Sequence, residues 1–341
     1  MSRFEKAKTI RSPSPSSSLP GRIFVTGASG YIGVNLLRHL LAVPGVGEVR
    51  GGVRDRASAS ELEGLLGHPP EFRAETGEIP QSPWDLNGVD AVVHLAAART
   101  SRSPASDADF FVRVNTEGTR RLLRAADEAG VSRFVFLSSQ AVYGTKRKPL
   151  WPESLSPRPE TPYARSKVDG EELCHRESPC PTVVLRAARV YGLGFRIRWS
   201  ELPHLFASRA ALGEPLIVHG GGRNRVDLVH LDDLCRAIVR GLRTPLPEAP
   251  SGPDARKEAA VFNVGSGRPV SIMDLARTCR SAVAKLGWNP PFLLREDVAR
   301  EDERNFGMDI GRAEARLGWE PRVSLENGIG DLLQAAREAG R

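Results

Sequence analysis

A glycine-rich turn between an apolar segment and a helical segment is the feature that most constrains how this chain can fold. Residues 22–26 form a short run of β-branched and aromatic side chains, and the turn GASGYIG at 27–33 follows directly. Residues 34–41 then show the apolar spacing of a helix. Strand, turn and helix in this order predict the first βα unit of a parallel α/β sheet.

Each glycine has its own task in such a turn. Gly27 permits the tight bend, Gly30 lets the backbone approach a pyrophosphate without an intervening Cβ, and Gly33 lets the helix pack closely on the strand. The free N–H groups and the positive dipole end at the start of the helix favour phosphate. The turn therefore predicts a dinucleotide site, with an ordinary glycine turn as the simpler alternative in a chain of 33 glycines.

A tyrosine and a lysine four residues apart, Tyr163 and Lys167, form the second pattern. Pro162 suits the first turn of a helix, and this spacing places both side chains on one face, roughly 6 Å apart along the axis. A phenol with a pKa of about 10 is a poor base at neutral pH. A nearby ammonium and a positive nicotinamide would have to lower that pKa by roughly three units, or ~4 kcal/mol.

A serine pair supplies the third pattern. Ser139 follows Ser138 after the apolar run 133–137, which predicts its position at the carboxyl end of a strand, where open α/β sheets bind ligands. Its hydroxyl could share a proton with a substrate oxygen, although for Ser139 alone a serine that ends a strand is the simpler interpretation. Together the three patterns predict a nicotinamide-dependent enzyme.

From residue 20 onward the chain resembles the extended short-chain dehydrogenase/reductases, and among them the NAD(P)-dependent nucleotide-sugar epimerase/dehydratase family, to which UDP-glucose 4-epimerase belongs. The resemblance implies that Ser139, Tyr163 and Lys167 are the catalytic set, with Tyr163 as the base and Lys167 also contacting the nicotinamide ribose. It rests on segments at 92–97, 115–119, 138–144, 185–186, 190–192, 228–233, 262–265 and 317–321.

The cofactor site is predicted from the turn, from the end of the second strand and from the resemblance. Its candidate residues are Gly27, Ser29, Gly30, Tyr31, Ile32, Gly33, Arg54, Asp55, Leu95, Ala96, Ala97, Asn115, Tyr163 and Lys167.

The choice between NAD and NADP depends on residues 48–55. A NAD-binding fold usually ends its second strand with an acid that holds the adenosine ribose, whereas here Val53 or Arg54 stands near that point. Arg54 could receive a 2′-phosphate, and Asp55 could be the ribose ligand in a shifted register. Arg54 slightly favours NADP, while the family's epimerases commonly keep NAD.

The residues after Ser139 narrow the reaction. The family's 4,6-dehydratases place acidic residues beside the catalytic hydroxyl, because elimination of water needs a further general acid and base. Here Gln140 and Ala141 stand there, which disfavours a dehydratase. We predict C4 epimerisation through a transient keto-sugar. An NADPH-dependent nucleotide-keto-sugar reductase is the alternative, and a non-catalytic NADP-sensing regulator on the same fold is a more distant rival.

A nucleotide-diphosphate sugar is the expected substrate. Its candidate contacts are Ser139, Gln140, Arg189, Arg225 and Arg300. The resemblance places Arg225 and Arg300 against the diphosphate, and Arg189 stands where sugar epimerases often have asparagine. The resemblance also implies a homodimer through the helices that follow strands four and five.

Alternating strand and helix signals from 22 to 185 predict an α/β fold with a Rossmann-type doubly wound parallel sheet and a smaller C-terminal α/β substrate lobe. We predict a disordered tail at 1–20, which is rich in serine and proline. The NAD(P)-binding domain is expected at 21–185, with 225–245 returning to it. The substrate lobe is expected at 186–224 and 246–341, with an exposed loop at 244–257.

Composition excludes several other classes. Of 48 basic residues 41 are arginine, spread along the chain without a basic block, which disfavours nucleic-acid binding despite the net charge of +7. No apolar run reaches the ~18 residues of a membrane helix, and no signal peptide is visible, so we expect a cytoplasmic protein. The four cysteines lack metal-ligand spacing, so we expect reduced thiols and no metal. His94 and His230 are expected to be structural.

Overall fold

The computed structural model describes residues 19–78, 84–99, 107–145, 150–246, 259–296 and 304–340. The strands in these ranges are β1 Arg22–Thr26, β2 Glu48–Val53, β3 Phe72–Thr76, β4 Ala91–His94, β5 Arg133–Ser139, β6 Thr182–Ala187, β7 Arg189–Tyr191, β8 Leu216–His219, β9 Arg225–Val226, β10 Leu228–His230, β11 Ala260–Val264, β12 Val270–Ser271 and β13 Leu293–Glu296. The helices are α1 Tyr31–Leu41, α2 Arg56–Leu66, α3 Ala108–Phe111, α4 Glu117–Glu128, α5 Pro162–Arg176, α6 His204–Ala211, α7 Leu231–Arg243, α8 Ile272–Lys285 and α9 Leu325–Glu338.

Seven strands form one sheet in the order β11-β6-β5-β4-β1-β2-β3. All neighbouring strands in it are parallel. The order reverses between β1 and β4, which creates the crevice where such sheets bind dinucleotides. The predicted doubly wound parallel sheet is therefore confirmed.

Side chains alternate between the two faces of this sheet, and helices cover both. On one face, Val25 is buried in a cluster with Leu37 of α1 and Leu234 of α7. On the other, Phe24 is buried in a cluster with Leu122 of α4. Because both faces are covered, the strands are apolar along their length.

A smaller unit has its own core and corresponds to the predicted lobe. Its helices α6, α8 and α9 pack around β8, and β8 pairs in parallel with β13. Buried members of this cluster include Val218, Phe206, Leu275 and Leu332.

Two segments of the predicted lobe lie in the larger unit instead. Strand β11 pairs with β6 and forms an edge of the seven-stranded sheet. Further along, Met308, Leu317 and Trp319 are buried in the core under that sheet. After residue 246 the chain thus runs from the larger unit into the lobe at α8, back to the larger unit at Met308, and into the lobe again at α9. This path depends on contacts between segments far apart in sequence.

The predicted tail, residues 1–20, lies outside the described residues except for Leu19 and Pro20, and Leu19 is buried against the main core. The predicted loop at 244–257 is described only to residue 246. In the described ranges, none of the helices combines the length and apolar character needed to cross a membrane.

Candidate active site

The glycine turn between β1 and α1 forms a close-packed cradle. Gly27 has φ of +67°, and a Cβ there would lie 2.9 Å from the backbone nitrogen of Ala96. A Cβ on Gly33 would lie 2.2 Å from the carbonyl oxygen of Gly27. Gly30 precedes α1 without a side-chain cap. The first-turn N–H groups of α1 therefore face the crevice with no side chain bonded to them, which fits a pyrophosphate.

Three further candidates for the cofactor lie at this turn. Ser29 belongs to the turn itself, and Tyr31 and Ile32 begin α1. The Tyr31 hydroxyl donates to the carbonyl oxygen of Gly192 at 2.6 Å. This bond holds α1 against the segment after β7. Because Tyr31 is the first residue of α1, its backbone N–H is available to the cofactor.

The end of β4 is held against β1 by a buried hydrogen-bond chain. His94 bonds to Thr26 at 2.7 Å and to Thr119 at 3.0 Å. The Thr26 hydroxyl accepts the N–H groups of Leu95 and Ala96 at 3.1 and 3.0 Å. This chain positions the predicted cofactor segment Leu95, Ala96 and Ala97 over the glycine turn. The structural role expected for His94 fits these contacts, whereas its threonine partners gave no signal in the sequence.

The three predicted catalytic residues meet at the carboxyl end of the sheet. Ser139 is the last residue of β5. Thr161 caps α5 by accepting the N–H of Ala164 at 3.1 Å, and Pro162 occupies its first turn, so Tyr163 and Lys167 follow on one face. The Tyr163 phenol lies close enough to Ser139 for the serine side chain to lower its pKa, and the Lys167 Nζ donates to the carbonyl oxygen of Leu137 at 2.8 Å.

Electrostatics at these residues differ from the sequence-based expectation. Desolvation raises the pKa of Tyr163, although the Arg99 charge and the hydrogen bond to Ser139 oppose it. Burial lowers the pKa of Lys167 to about 8. The predicted lowering of the Tyr163 pKa is therefore not a property of the protein alone, because desolvation of the phenol outweighs the cations that the chain provides.

Asn115 lies in the crevice but is held mainly by the protein. Its side chain accepts the N–H of Ala98 at 2.7 Å and donates to the Ser166 hydroxyl at 2.9 Å. Ser166 in turn donates to the carbonyl oxygen of Tyr163 at 2.8 Å. Asn115 sits in a π-helical turn, Val112–Thr116, a distortion frequent at functional sites. Through its bonds to Ala98 and Ser166, Asn115 fixes the first turn of α5 relative to the loop after β4.

A buried ion pair lies next to Lys167 along α5 and was not predicted. Arg186 of β6 makes a bidentate pair with Glu171 of α5, with its Nη2 2.6 Å from Oε2. Ser138 donates to Glu171 at 2.5 Å, and Arg186 donates to the Tyr143 hydroxyl at 2.8 Å. Glu171 raises the Lys167 pKa against the effect of burial. The i, i+4 spacing of Lys167 and Glu171 on α5 was the available sequence signal.

Arg54 and Asp55 follow the end of β2 at Val53. Asp55 caps α2 by accepting the N–H of Ser58 at 2.7 Å, and this hydrogen bond lowers the pKa of its carboxyl. Arg54 is exposed. The end of the strand thus offers a guanidinium free to meet a phosphate, next to a carboxylate already engaged as a helix cap.

Two substrate candidates lie beside Ser139. Gln140 is buried, and its Oε1 has no hydrogen-bond partner among the described residues. Arg189 is exposed, two residues beyond Ala187, the β6 residue that pairs with Ser139. Gln140 and Arg189 thus follow the carboxyl ends of adjacent strands.

Of the other two substrate candidates, Arg225 begins β9. Its guanidinium donates to the carbonyl oxygen of Pro269 at 2.5 Å. A bridge connects Arg225 to Asn305, whose N–H donates to the carbonyl oxygen of Thr145 at 3.2 Å. Arg300 lies outside the described residues.

No group of three or more potential metal ligands is found in the described part of the chain. Cys174, Cys180, Cys235 and Cys279 are buried free thiols.

The fold and the set Ser139, Tyr163 and Lys167 beside a glycine turn define a dinucleotide-binding protein of the short-chain dehydrogenase/reductase class. Residues 23–265 match the model of the NAD dependent epimerase/dehydratase family. This match spans more than half of the chain, and the chain belongs to that family.

Relatives and solved structures extend the match over the whole fold. A dTDP-glucose 4,6-dehydratase of Streptomyces griseus is 31% identical over 90% of this chain and 91% of its own. A UDP-glucose 4-epimerase of Mycolicibacterium smegmatis is 30% identical, over 93% of this chain and 98% of its own. The structure of UDP-glucuronic acid 4-epimerase from Bacillus cereus with UDP-glucuronic acid and NAD superposes with a TM-score of 0.76 at 26% identity. The match covers 93% of this chain and 99% of the Bacillus cereus chain.

Proposed function

We propose that this chain is an NAD(P)-dependent nucleotide-sugar epimerase that inverts C4 of the sugar through a transient keto-sugar. The observation that carries the proposal is the meeting of Ser139 and Tyr163 beside the glycine turn, with Lys167 one helical turn further along α5. This arrangement supplies a proton-transferring hydroxyl next to a site suited to a dinucleotide.

The residues of the crevice fit a dinucleotide. The cradle at Gly27 and Gly33 has no room for a Cβ, the first turn of α1 has no side-chain cap, and Arg54 is exposed at the end of β2. When bound, the nicotinamide supplies the acceptor and the donor of the hydride. Arg54 favours NADP, whereas the similar Bacillus cereus structure contains NAD.

The proton chemistry belongs to Tyr163. Its hydroxyl oxygen takes the proton of the sugar hydroxyl as the ketone forms and returns it after the keto-sugar has presented its other face. Ser139, which lies beside Tyr163, orients the same sugar oxygen. Because desolvation raises the Tyr163 pKa, the positive charges of Lys167 and of an oxidised nicotinamide are needed to favour the phenolate.

The residues after Ser139 support epimerisation over dehydration, even though dehydratases are among the relatives. Gln140 and Ala141 cannot act as general acids, and the nearby buried Glu171 is bound to Arg186. A keto-reductase is the second candidate, since exposed Arg54 favours the exchangeable NADPH. In either case the substrate is a nucleotide-diphosphate sugar.

A single experiment on the full chain separates these activities. The purified protein is denatured and the released dinucleotide is identified. A second sample is incubated in deuterated water with UDP-glucose, dTDP-glucose or UDP-glucuronic acid. An epimerase retains NAD and yields the C4 epimer without deuterium at C4, because the same hydrogen returns. A 4-keto-6-deoxy product would show a dehydratase, and an empty protein that binds NADPH tightly would show the reductase.

Tyr163→Phe should lower kcat by about 10²- to 10⁴-fold with little change in cofactor affinity, because it removes the proton-transferring oxygen. Tyr191→Phe is the matched control, since its hydroxyl donates to the carbonyl oxygen of Ser324 in the lobe, at 3.4 Å. Turnover and dinucleotide binding are measured for both. Unchanged turnover in Tyr163→Phe would remove Tyr163 from the mechanism, and failure to bind either dinucleotide would overturn the enzyme assignment.

We also propose a homodimer through α4 and α5, the helices that follow β4 and β5. The proposal comes from the family resemblance, and sedimentation of the full chain tests it.

A further inference from the structure

Arg189 occupies a fixed position at the mouth of the site. Ser139 pairs with Ala187 across β5 and β6, so Arg189 lies two residues past the level of the catalytic serine. The Ala188 N–H donates to the carbonyl oxygen of Val264 at 2.8 Å, and the Arg189 N–H donates to that of Asp227 at 3.2 Å. The backbone that carries this guanidinium is therefore held on both sides.

The guanidinium itself has no hydrogen bond or ion pair to any residue that the structure describes. It is exposed to solvent, yet surrounding protein and the nearby Arg99 charge lower its pKa. Arg189 lies just beyond the carboxyl end of β6, beside the end of β5, and the carboxyl ends of parallel strands border the cleft where such sheets bind ligands. The same Arg99 charge acts on Arg189, Tyr163 and Lys167.

The cleft has more positive than negative charge. Glu201 is the carboxylate nearest to Arg189 in its electrostatic surroundings, but it already forms ion pairs with Arg99 at 3.3 Å and with Arg198 at 3.2 Å. Lys167 adds a further cation. An uncharged sugar would leave the Arg189 guanidinium facing Arg99 without an anion, whereas an anionic group on the substrate would pair with it.

The position of Arg189 favours an anion at the reacting end of the substrate. A sugar carbon that reacts with Tyr163 and Ser139 must lie at the end of β5, beside the end of β6. In a hexuronic acid the carboxyl carbon is attached to the ring carbon next to C4, while the diphosphate on C1 lies across the ring. A carboxylate also matches the planar fork of arginine bidentately. The amide that Gln140 offers beside it can accept a sugar hydroxyl.

We propose that Arg189 binds the carboxylate of a uronic acid, so that the substrate is a nucleotide-diphosphate uronic acid rather than a neutral nucleotide sugar. The proposal rests on the proposed epimerase function and specifies its substrate. Arg189 is then the residue that selects between the two kinds of sugar.

Titration calorimetry of the cofactor-loaded full chain tests this, in a Tyr163→Phe background that prevents turnover. The probes are UDP-glucuronic acid, UDP-glucose and UDP. We expect UDP-glucuronic acid to bind more tightly than UDP-glucose, and Arg189→Asn to weaken UDP-glucuronic acid by about 10- to 100-fold while leaving the other two within about twofold. Arg189→Lys should recover part of the loss. Arg277→Asn, on the lobe surface in α8 and paired with Asp274, is the control, and thermal unfolding confirms that each variant is folded.

Three results would overturn the proposal. An equal loss for UDP and both sugars would place the guanidinium on the diphosphate, and no loss for any probe would make its role structural. Binding of UDP-glucose as tightly as UDP-glucuronic acid would refute the uronate assignment and leave the epimerase intact. Failure of all three probes to bind would instead refute the proposed function itself.

Discussion

Among single residues, buried His94 has an ionisation that folding changes strongly. Both ring nitrogens are hydrogen-bonded to threonines. Burial, helped by the Lys167 charge, lowers the His94 pKa to about 3, against about 6.5 in an unfolded chain. Between these values the unfolded state binds a proton that the folded state does not. Folding is therefore favoured by the neutral ring above pH ~6.5, and this contribution is lost as pH falls towards 3.

His94→Gln should therefore flatten the acid limb of the stability profile. We expect the slope of the unfolding free energy between pH 6 and pH 4 to decrease by up to ~1.4 kcal/mol per pH unit, the value for one proton. Chemical denaturation at several pH values measures it. The variant is less stable at neutral pH, so the slope is the informative quantity. Exposed His219→Gln is the control, and equal slopes in the two variants would contradict the assignment to His94.

At the level of elements, the junction of β1 and α1 depends on backbone contact. A Cβ on Gly33 would lie 2.2 Å from the carbonyl oxygen of Gly27 and 2.8 Å from two atoms of Ala28. All of these are in the turn that faces the cofactor crevice. Any side chain at Gly33 must push α1 away from the turn, which widens the cradle.

Gly33→Ala should destabilise the fold by roughly 2–4 kcal/mol and weaken dinucleotide binding at least about tenfold. Gly64→Ala is the matched control, because Gly64 is also helical, is exposed, and has nothing within 4 Å of its added Cβ. That substitution should stabilise the chain by about 0.5–1 kcal/mol. Thermal unfolding and dinucleotide titration report both effects, and similar behaviour of the two variants would rule out the close contact.

How much could be predicted from sequence also depends on the element. The β1 turn and α5 carry local signals, glycines in one case and Thr161 with Pro162 in the other, and both lie where predicted. Strand β11 was placed in the lobe because its pairing with β6 joins residues more than seventy positions apart. The charges that act on Arg189 likewise come from distant segments, Arg99 in the loop after β4 and Glu201 before α6. The sequence pattern around Arg189 therefore could not predict its electrostatic surroundings.

At the scale of the whole molecule, Asn263 links three distant parts of the chain. Its side chain accepts from the Tyr143 hydroxyl at 2.7 Å and donates to the carbonyl oxygens of Trp151 and Asp309 at 2.8 and 2.9 Å. It lies in β11, at the edge of the sheet, and is fully buried. The last strand and the returning C-terminal segment are thereby fastened to the part of the chain that carries the site.

Asn263→Ala should lower the free energy of unfolding by roughly 3 kcal/mol, because it leaves buried hydrogen-bonding groups without partners. If these contacts join the parts into one cooperative unit, the unfolding transitions reported by tryptophan fluorescence and by far-UV circular dichroism should coincide in a denaturant titration of the wild type. In the variant the two transitions should separate, or both should move to a lower denaturant concentration. Asn87 is exposed in the loop before β4, so Asn87→Ala should leave the free energy of unfolding within about 0.5 kcal/mol of the wild-type value. A midpoint for Asn263→Ala equal to that of Asn87→Ala would show that the edge strand is held by its backbone ladder alone.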